Sequence, residues 1–416
     1  MRVKLTPLVR VRAEEFGGIC YVPQRDDFFA LDKRYFELLR RVASAWTRVE
    51  STDIGSYRLL GRLGIVRCQT PSVDEAPYSG PSLVGALQDL PIVRTPMVVN
   101  CFATSFCPLR CIYCHADDLM QGYRESESDE DVGRVLRTAM QVPSLVAVVT
   151  GGDPLSRPKR AEALISGLAE TRALVLDTSG IGNLDQLIPC LVRNGVHVRI
   201  SLDSIGATND RLRPAFEGRA RSASALAQAS LSRRGAVRAI QRCLDAGLAV
   251  SVQSVVTARN ENVAELRDLR DWLCAVGVRN WVIHMAVRGG SAERLEAEAE
   301  RHTRKRGILP SGRVRQRLAG LLHETIDAGL PIDVRFTDTD VSRNAVLLIG
   351  SQGHLYTEGV ARRGKVVLHS AEGPANENIA LDGIDWAGHT RRYLNWVPWA
   401  WRGRAVGEIS GVETLS

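Results

Sequence analysis

From Met97 to Met285 the chain alternates short β-branched or apolar runs with amphipathic stretches, and no other feature narrows its possible folds so far. The runs are Met97–Asn100, Leu145–Val149, Ala173–Asp177, Val196–Leu202, Ala249–Val256 and Trp281–Met285. After the first, Val132, Val135, Leu136, Ala139 and Met140 recur at helical spacing behind Ser128, a capping residue. Strands separated by helices predict a parallel sheet, because a crossover is what returns a strand in the same direction. The runs lead into polar or glycine residues: Gly151-Gly152-Asp153-Pro154, Thr178-Ser179-Gly180, Asp203-Ser204, Thr257 and Arg288-Gly289-Gly290. In barrels of this construction such ends share one mouth, where chemistry is placed. A single ending is turn chemistry; a series in register predicts a site.

Just behind the first run stand Cys107, Cys111 and Cys114, in a C-x3-C-x2-C spacing that reads as a loop after a strand. Structural zinc and iron–sulfur sites closed by protein use four ligands, so this set leaves a metal position open. The plain alternative is a zinc knuckle that borrows His115 or Cys101.

The triplet, with Tyr113 before its last cysteine, resembles the signature of the radical S-adenosylmethionine (radical SAM) enzymes, and the strand order resembles their partial (β/α)6 barrel over about residues 95–290. The resemblance implies one 4Fe–4S cluster on Cys107, Cys111 and Cys114, with S-adenosyl-L-methionine chelated to its open iron and cleaved to a 5′-deoxyadenosyl radical. It implies that Gly151, Gly152, Asp153 and Pro154 match the element whose backbone takes the methionine amine, with Asp153 in the place of a usual Glu. Ser201, Asp203 and Ser204 fall where the fourth strand meets ribose and carboxylate, and Val255, Val256 and Tyr113 where adenine packs. Asn209 to Pro214, NDRLRP, is shared with peptide-modifying members; its mechanical role is not legible from sequence.

Residues 7–70 read as a module of their own. Leu8–Arg12, Ile19–Val22 and Phe28–Leu31 predict a three-stranded meander, Asp32 a helix cap, and Tyr57, Leu60, Leu63 and Ile65 a final helix running into a strand. EFGGICY and DDFFALDKRYFELL resemble the precursor-peptide recognition element of enzymes that modify ribosomally made peptides. That implies a leader peptide adding a strand at Phe28, Phe29, Ala30 and Leu31, facing a helix with Tyr57 and Leu60. A generic winged-helix cap without a ligand is the alternative.

The expected fold is therefore α/β: a partial (β/α)6 radical SAM barrel (95–290), an N-terminal winged-helix-like α+β module (1–70), a flexible linker (71–94) and a C-terminal α+β extension (291–416). The extension looks like that of peptide-modifying radical SAM proteins, but no cysteine follows Cys274, so it holds no thiolate-bound auxiliary cluster. Tyr356 falls near the place of the first such cysteine. His284, Arg288 and Tyr356 are the candidate substrate contacts; His354, His389 and the Asp338/Asp340 pair are expected at the surface in preference to the substrate.

The chain has 416 residues, 44% hydrophobic and 24% charged, and no apolar run approaches the roughly 18 residues that span a membrane. Its N-terminus lacks an apolar signal core, so a cytoplasmic location is expected, with reduced thiols. A net charge of +7 raises nucleic acid, but the arginines are scattered among acids with no basic-aromatic array, so none is expected. The expected function is hydrogen abstraction from the core of a leader-bearing peptide, ending in backbone excision, epimerisation or carbon-centred rearrangement or crosslinking, with a flavodoxin- or ferredoxin-type electron donor. A radical SAM enzyme on a small metabolite and a non-catalytic metal-containing peptide binder are the competitors.

Overall fold

The computed structural model describes residues 1–69, 92–117, 119, 128–215, 231–302, 307–337, 345–358, 365–371, 379, 381 and 383–394. Most of the expected linker, and Asp338 and Asp340, lie outside the described residues.

The N-terminal module is β1 (Arg2–Leu5), β2 (Arg10–Glu14), β3 (Gly17–Val22), β4 (Asp27–Asp32), α1 (Lys33–Arg41), β5 (Thr47–Arg48), α2 (Ile54–Arg62) and β6 (Val66–Cys68). The meander is present as the sheet β2-β3-β4, and a second sheet runs β5-β1-β6. Asp32 Oδ1 accepts from Tyr35 N–H at 2.8 Å and caps α1. Strands β1 and β5 escaped the sequence reading: RVKL alternates charge with apolarity, and Thr47-Arg48 is too short to show a period.

The central sheet has ten strands in the order β13-β12-β11-β10-β9-β8-β7-β14-β15-β16. Strands β7 (Val98–Thr104), β8 (Val146–Gly151), β9 (Ala173–Thr178), β10 (His197–Ser201), β11 (Val250–Val256) and β12 (Asn280–Met285) pair in parallel, in sequence order, as the periodicity predicts. Helices α3 (Asp129–Gln141), α4 (Pro158–Leu168), α5 (Leu184–Arg193), α6 (Ala207–Leu212), α7 (Leu231–Asp245) and α8 (Val263–Val276) fall between them. After α9 (Gly290–Arg301) and α10 (Val314–Asp327), the C-terminal part lengthens this sheet at both edges. Strand β13 (Asp333–Thr337) adds in parallel to β12, while β14 (Leu347–Ile349) adds in parallel to β7. Strands β15 (Leu355–Glu358) and β16 (Lys365–His369) follow antiparallel, and the described chain closes with α11 (Trp386–Leu394).

Alternation sends the two faces of the central strands to different partners. Val99, Cys101, Val149, Leu176 and Ile200 pack with the helices. Val98, Val146, Val148 and Val175 pack with Ile19, Tyr21, Phe28 and Ala30 of the N-terminal meander, joined by Tyr393 and Leu394 of α11. The opposite face of the meander, with Cys20, Val22, Phe29 and Leu31, covers α1 and α2.

That packing corrects the expectation of a flexibly tethered module. At the turn between β3 and β4, Asp26 accepts from Arg199 of β10 through both carboxylate oxygens, each at 2.7 Å, and from Tyr21 Oη at 2.8 Å. Arg335 of β13 donates to the Asp26 carbonyl at 2.5 Å, and Arg25 pairs with Asp333 at 2.7 Å. A chain that buries both faces of a meander and pairs its turn with two strands of the central sheet holds it against that sheet.

His389 is also corrected. It is fully buried, neither at the surface nor at the substrate: Nε2 accepts from Met97 N–H at 2.9 Å and Nδ1 donates to the Ala345 carbonyl at 2.7 Å. It thereby ties α11 to the residues preceding β7 and β14. Burial pushes the ring down to about 4, below an ordinary 6.5. Protonation would set an N–H against the Met97 N–H. The unfolded chain takes up a proton below pH 6.5 that the folded chain refuses, so this residue's contribution is complete above 6.5 and is lost as pH falls towards 4. We expect His389→Gln to be less stable than the wild type at pH 7.5 but to lose less further stability between pH 6.5 and 4, measured by urea unfolding across that range. Parallel pH profiles would refute it.

Candidate active site

The carboxyl ends of the parallel strands border a cavity of about 350 Å3. Cys107, Cys111 and Cys114 line it, together with Tyr113, Gly151, Gly152 and Asp153, Ser201, Val255 and His284. None of the nine cysteines is in a disulfide.

The cysteine loop is seated on two supports. The first is the Gly-Gly-Asp turn after β8: Gly152 N–H donates to Thr104 O and Asp153 N–H to Phe106 O, both at 2.8 Å. A Cβ on Gly152 would stand 2.1 Å from Phe106 O and 2.8 Å from Cys107 N, so no side chain fits there. Asp153 is buried and locks the turn to the end of β9, accepting from Leu155 N–H at 3.0 Å, Thr178 Oγ1 and Ser179 N–H at 2.8 Å, and the Ser179 hydroxyl. Burial raises its carboxyl and these bonds oppose the rise. Pro154 is buried and opens a short 3-10 turn.

The second support is the segment whose role the sequence left open. Arg110 N–H donates to Pro214 O at 2.8 Å and Ile112 N–H to Leu212 O at 3.0 Å, so NDRLRP straps the cysteine loop from outside. Asn209 is buried, accepting from Asp203 N–H at 2.8 Å and donating to Ser232 at 2.6 Å. Arg213 Nε donates to Tyr113 Oη at 2.7 Å and to Asp203 Oδ2 at 3.0 Å, and Tyr113 in turn donates to Asp203.

Several sequence-predicted residues take other parts. Asp203 is buried with its oxygens spent on Tyr113, Arg213 and Val255 N–H, the last at 2.8 Å. The Ser204 hydroxyl accepts from Gly206 N–H at 2.9 Å and donates to Glu265 at 3.3 Å. Val256, one residue along from Val255, packs in the helix-facing core. Arg288 pairs with Glu293 and Glu300 of α9, and Tyr356 packs with Phe102, Val346 and Leu348; neither is among the residues lining the cavity. On the module, Phe28 to Leu31 and Leu60 are buried, and Tyr57 Oη donates to Leu38 O at 2.9 Å. On its side away from β3, β4 meets no strand among the described residues.

Asp177, Arg213 and Arg392, which also line the cavity, were not among the site residues expected from sequence, and Ser179 was expected there only as part of a strand ending. Asp177 and Ser179 were signalled by the polar ending of β9; Arg392 carried no signal.

Burial raises all three thiols of the triplet, Cys114 to about 12. The neighbouring Cys111 adds to the rise at Cys107 and Cys114, whereas Arg213 works against it at Cys111. Cys101 lies in the helix-facing core, pushed up to about 12 by burial, which removes it as a borrowed ligand. Among the described residues no three His, Cys, Asp or Glu side chains close around the position of one ion. The triplet borders a shared cavity instead. Cys107 is buried while Cys111 and Cys114 are partly exposed to the cavity. Such thiols, which would repel one another as thiolates, bind in that form when a metal centre supplies positive charge, and the donor set fits an iron–sulfur cluster large enough to reach all of them.

Residues 102–273 match the sequence model of the Radical SAM superfamily. This stretch is a Radical SAM superfamily domain. The chain is also 30% identical over 220 residues to the pre-heme d1 synthase of Dinoroseobacter shibae, an alignment covering 50% of the chain and 47% of that protein. The chain thus matches about half the length of that curated relative. In three dimensions it is similar to Streptococcus suis SuiB bound to its precursor peptide SuiA, with a TM-score of 0.57 and 14% identity over 93% of this chain and 90% of that one. SuiB bound to S-adenosylmethionine matches with the same TM-score and coverage at 13% identity. The three thiols line the cavity at the carboxyl ends of the parallel strands. No helix among the described residues is long and apolar enough to cross a membrane.

Proposed function

We propose that the chain is a radical SAM enzyme that binds the leader of a ribosomally made precursor peptide and abstracts hydrogen from its core. The observation that carries the reading is the cysteine triplet bordering one cavity beside the Gly151-Gly152 turn, inside a Radical SAM superfamily domain. When bound, the cluster and S-adenosylmethionine supply the radical. Cys107, Cys111 and Cys114 hold the cluster, Gly151 and Gly152 border the cofactor, and Tyr113, fixed by Asp203 and Arg213, keeps one wall rigid. His284 is the substrate-side group. Burial and then Arg392 push it down to about 3, so it enters the cavity as neutral imidazole.

For the peptide, support comes from the N-terminal module, whose β4 has an unpaired side among the described strands, and from the likeness to SuiB over 93% of the chain. Because the side chains of Phe28 to Leu31 are buried, the leader would bind β4 chiefly through its backbone. The corresponding division is 1–70 for recognition, 71–94 as linker, 95–290 for the barrel and 291–416 as extension.

The decisive experiment is anaerobic reconstitution with iron and sulfide, followed by reduction with S-adenosylmethionine and assay for 5′-deoxyadenosine. Coexpression with short open reading frames near the gene and mass spectrometry of their products then tests the substrate. Cofactor cleavage without any altered peptide would favour the second reading, a small-metabolite enzyme, which the alignment with pre-heme d1 synthase supports.

A further inference from the structure

We propose that Arg392 is the specificity anchor for a carboxylate on the substrate, an Asp or Glu side chain of the peptide segment that enters the cavity. This rests on the peptide reading above. Arg392 comes from α11, far in sequence from the barrel strands, yet it lines the same cavity as the cysteines. Among the described residues it has no hydrogen bond or ion pair. The neighbouring guanidiniums are committed. Arg213 is bound to Tyr113 and Asp203, Arg110 to the carbonyls of Cys107 at 2.9 Å and Leu109 at 2.6 Å, and Arg199 to Asp26. A half-buried guanidinium with no hydrogen-bond or ion-pair partner among the described residues is suited to a bidentate anion brought in by a ligand.

The position is rigid. His389 fixes α11 to Met97 and Ala345, Thr390 Oγ1 accepts from Val93 N–H at 2.9 Å, and Tyr393 stacks at a tilt on Phe28 of β4 with ring centroids 5.9 Å apart. An anchor held this firmly loses little entropy on binding. After burial, Arg392 is the leading charge that lowers His284 of β12, which places the guanidinium within electrostatic reach of that ring. The thiol side has its own guanidinium in Arg213.

The test uses anaerobically reconstituted holoenzyme with S-adenosylmethionine and three probes: acetyl-Gly-Glu-Gly-amide and its Gln and Lys counterparts. Binding is read by saturation-transfer NMR titration. Wild type is expected to bind the Glu probe about tenfold more tightly than the Gln probe. Arg392→Gln should remove the difference, Arg392→Lys should keep part of it, and Arg392→Glu should turn the preference to the Lys probe. Equal binding of Glu and Gln probes by wild type overturns the anchor while leaving a peptide substrate in place. Failure of all three probes on wild type counts against the peptide reading and takes the anchor with it. A loss of S-adenosylmethionine affinity in Arg392→Gln, measured by equilibrium dialysis, would assign the guanidinium to the cofactor and overturn the proposal.

Discussion

Asp26→Asn is expected to destabilise the whole chain by about 3–5 kcal/mol, the cost of removing one partner from a buried ion pair. Asp26 is 1% exposed and Arg199, its bidentate partner, 8%. Burial pulls the Asp26 carboxyl up, but Arg199, with His197 and Arg335 behind it, more than reverses this and holds it below the usual carboxylate range. An asparagine of the same shape keeps some of the hydrogen bonds from Arg199, Tyr21 and Ser251 but leaves the Arg199 charge uncompensated. The neighbouring Asp27 cannot substitute. Its Oδ1 accepts from Phe28 N–H at 2.9 Å, and burial pushes its carboxyl up to about 8, so it is largely protonated at neutral pH. Because Asp26 sits on the N-terminal meander and Arg199 on a barrel strand, module and barrel should lose stability together in urea, followed by tryptophan fluorescence and far-ultraviolet dichroism. A loss below about 1 kcal/mol, the scale of an exposed pair, would mean that the two parts do not depend on one another.

Alanine at Cys107, Cys111 or Cys114 is expected to bring reconstituted iron down by most of its content and 5′-deoxyadenosine formation to background. Each removes one of three ligands from a set with no spare thiol in reach, since Cys101 faces the helices and Cys274 lies on α8. Cys101→Ala is the contrast: a small core cavity, a modest loss of stability and retained iron. Iron and sulfide analysis with electron paramagnetic resonance of the reduced protein reads both. Full iron in Cys111→Ala, or equal iron loss in Cys101→Ala, would overturn the assignment of the ligands.

Much of the site was visible because its parts lie close together in the chain. Cys107, Cys111 and Cys114 lie within eight residues, the Gly151-Gly152 turn directly ends a strand, and the alternation of apolar runs set the parallel order β7 to β12. Which of two nearby residues faces the cavity was less legible. Val255 does and Val256 does not; Ser201 does while Ser204 is used in its own turn. The sequence reading offered both members of each pair because it lacked the register.

What the sequence determined by itself was the local grammar: strand, thiol loop, glycine turn, helix, and the chemistry those residue types permit. Tertiary structure decided which distant groups meet. It brought Asp26 to Arg199, the NDRLRP strap to the cysteine loop, and Arg392 from the end of the described chain to the reaction cavity. Periodicity reports only the face on which a residue lies relative to its neighbours in the chain. Ion pairs across 173 positions, and a helix that sets one arginine beside a barrel strand, are fixed by how whole faces pack, which no local pattern records.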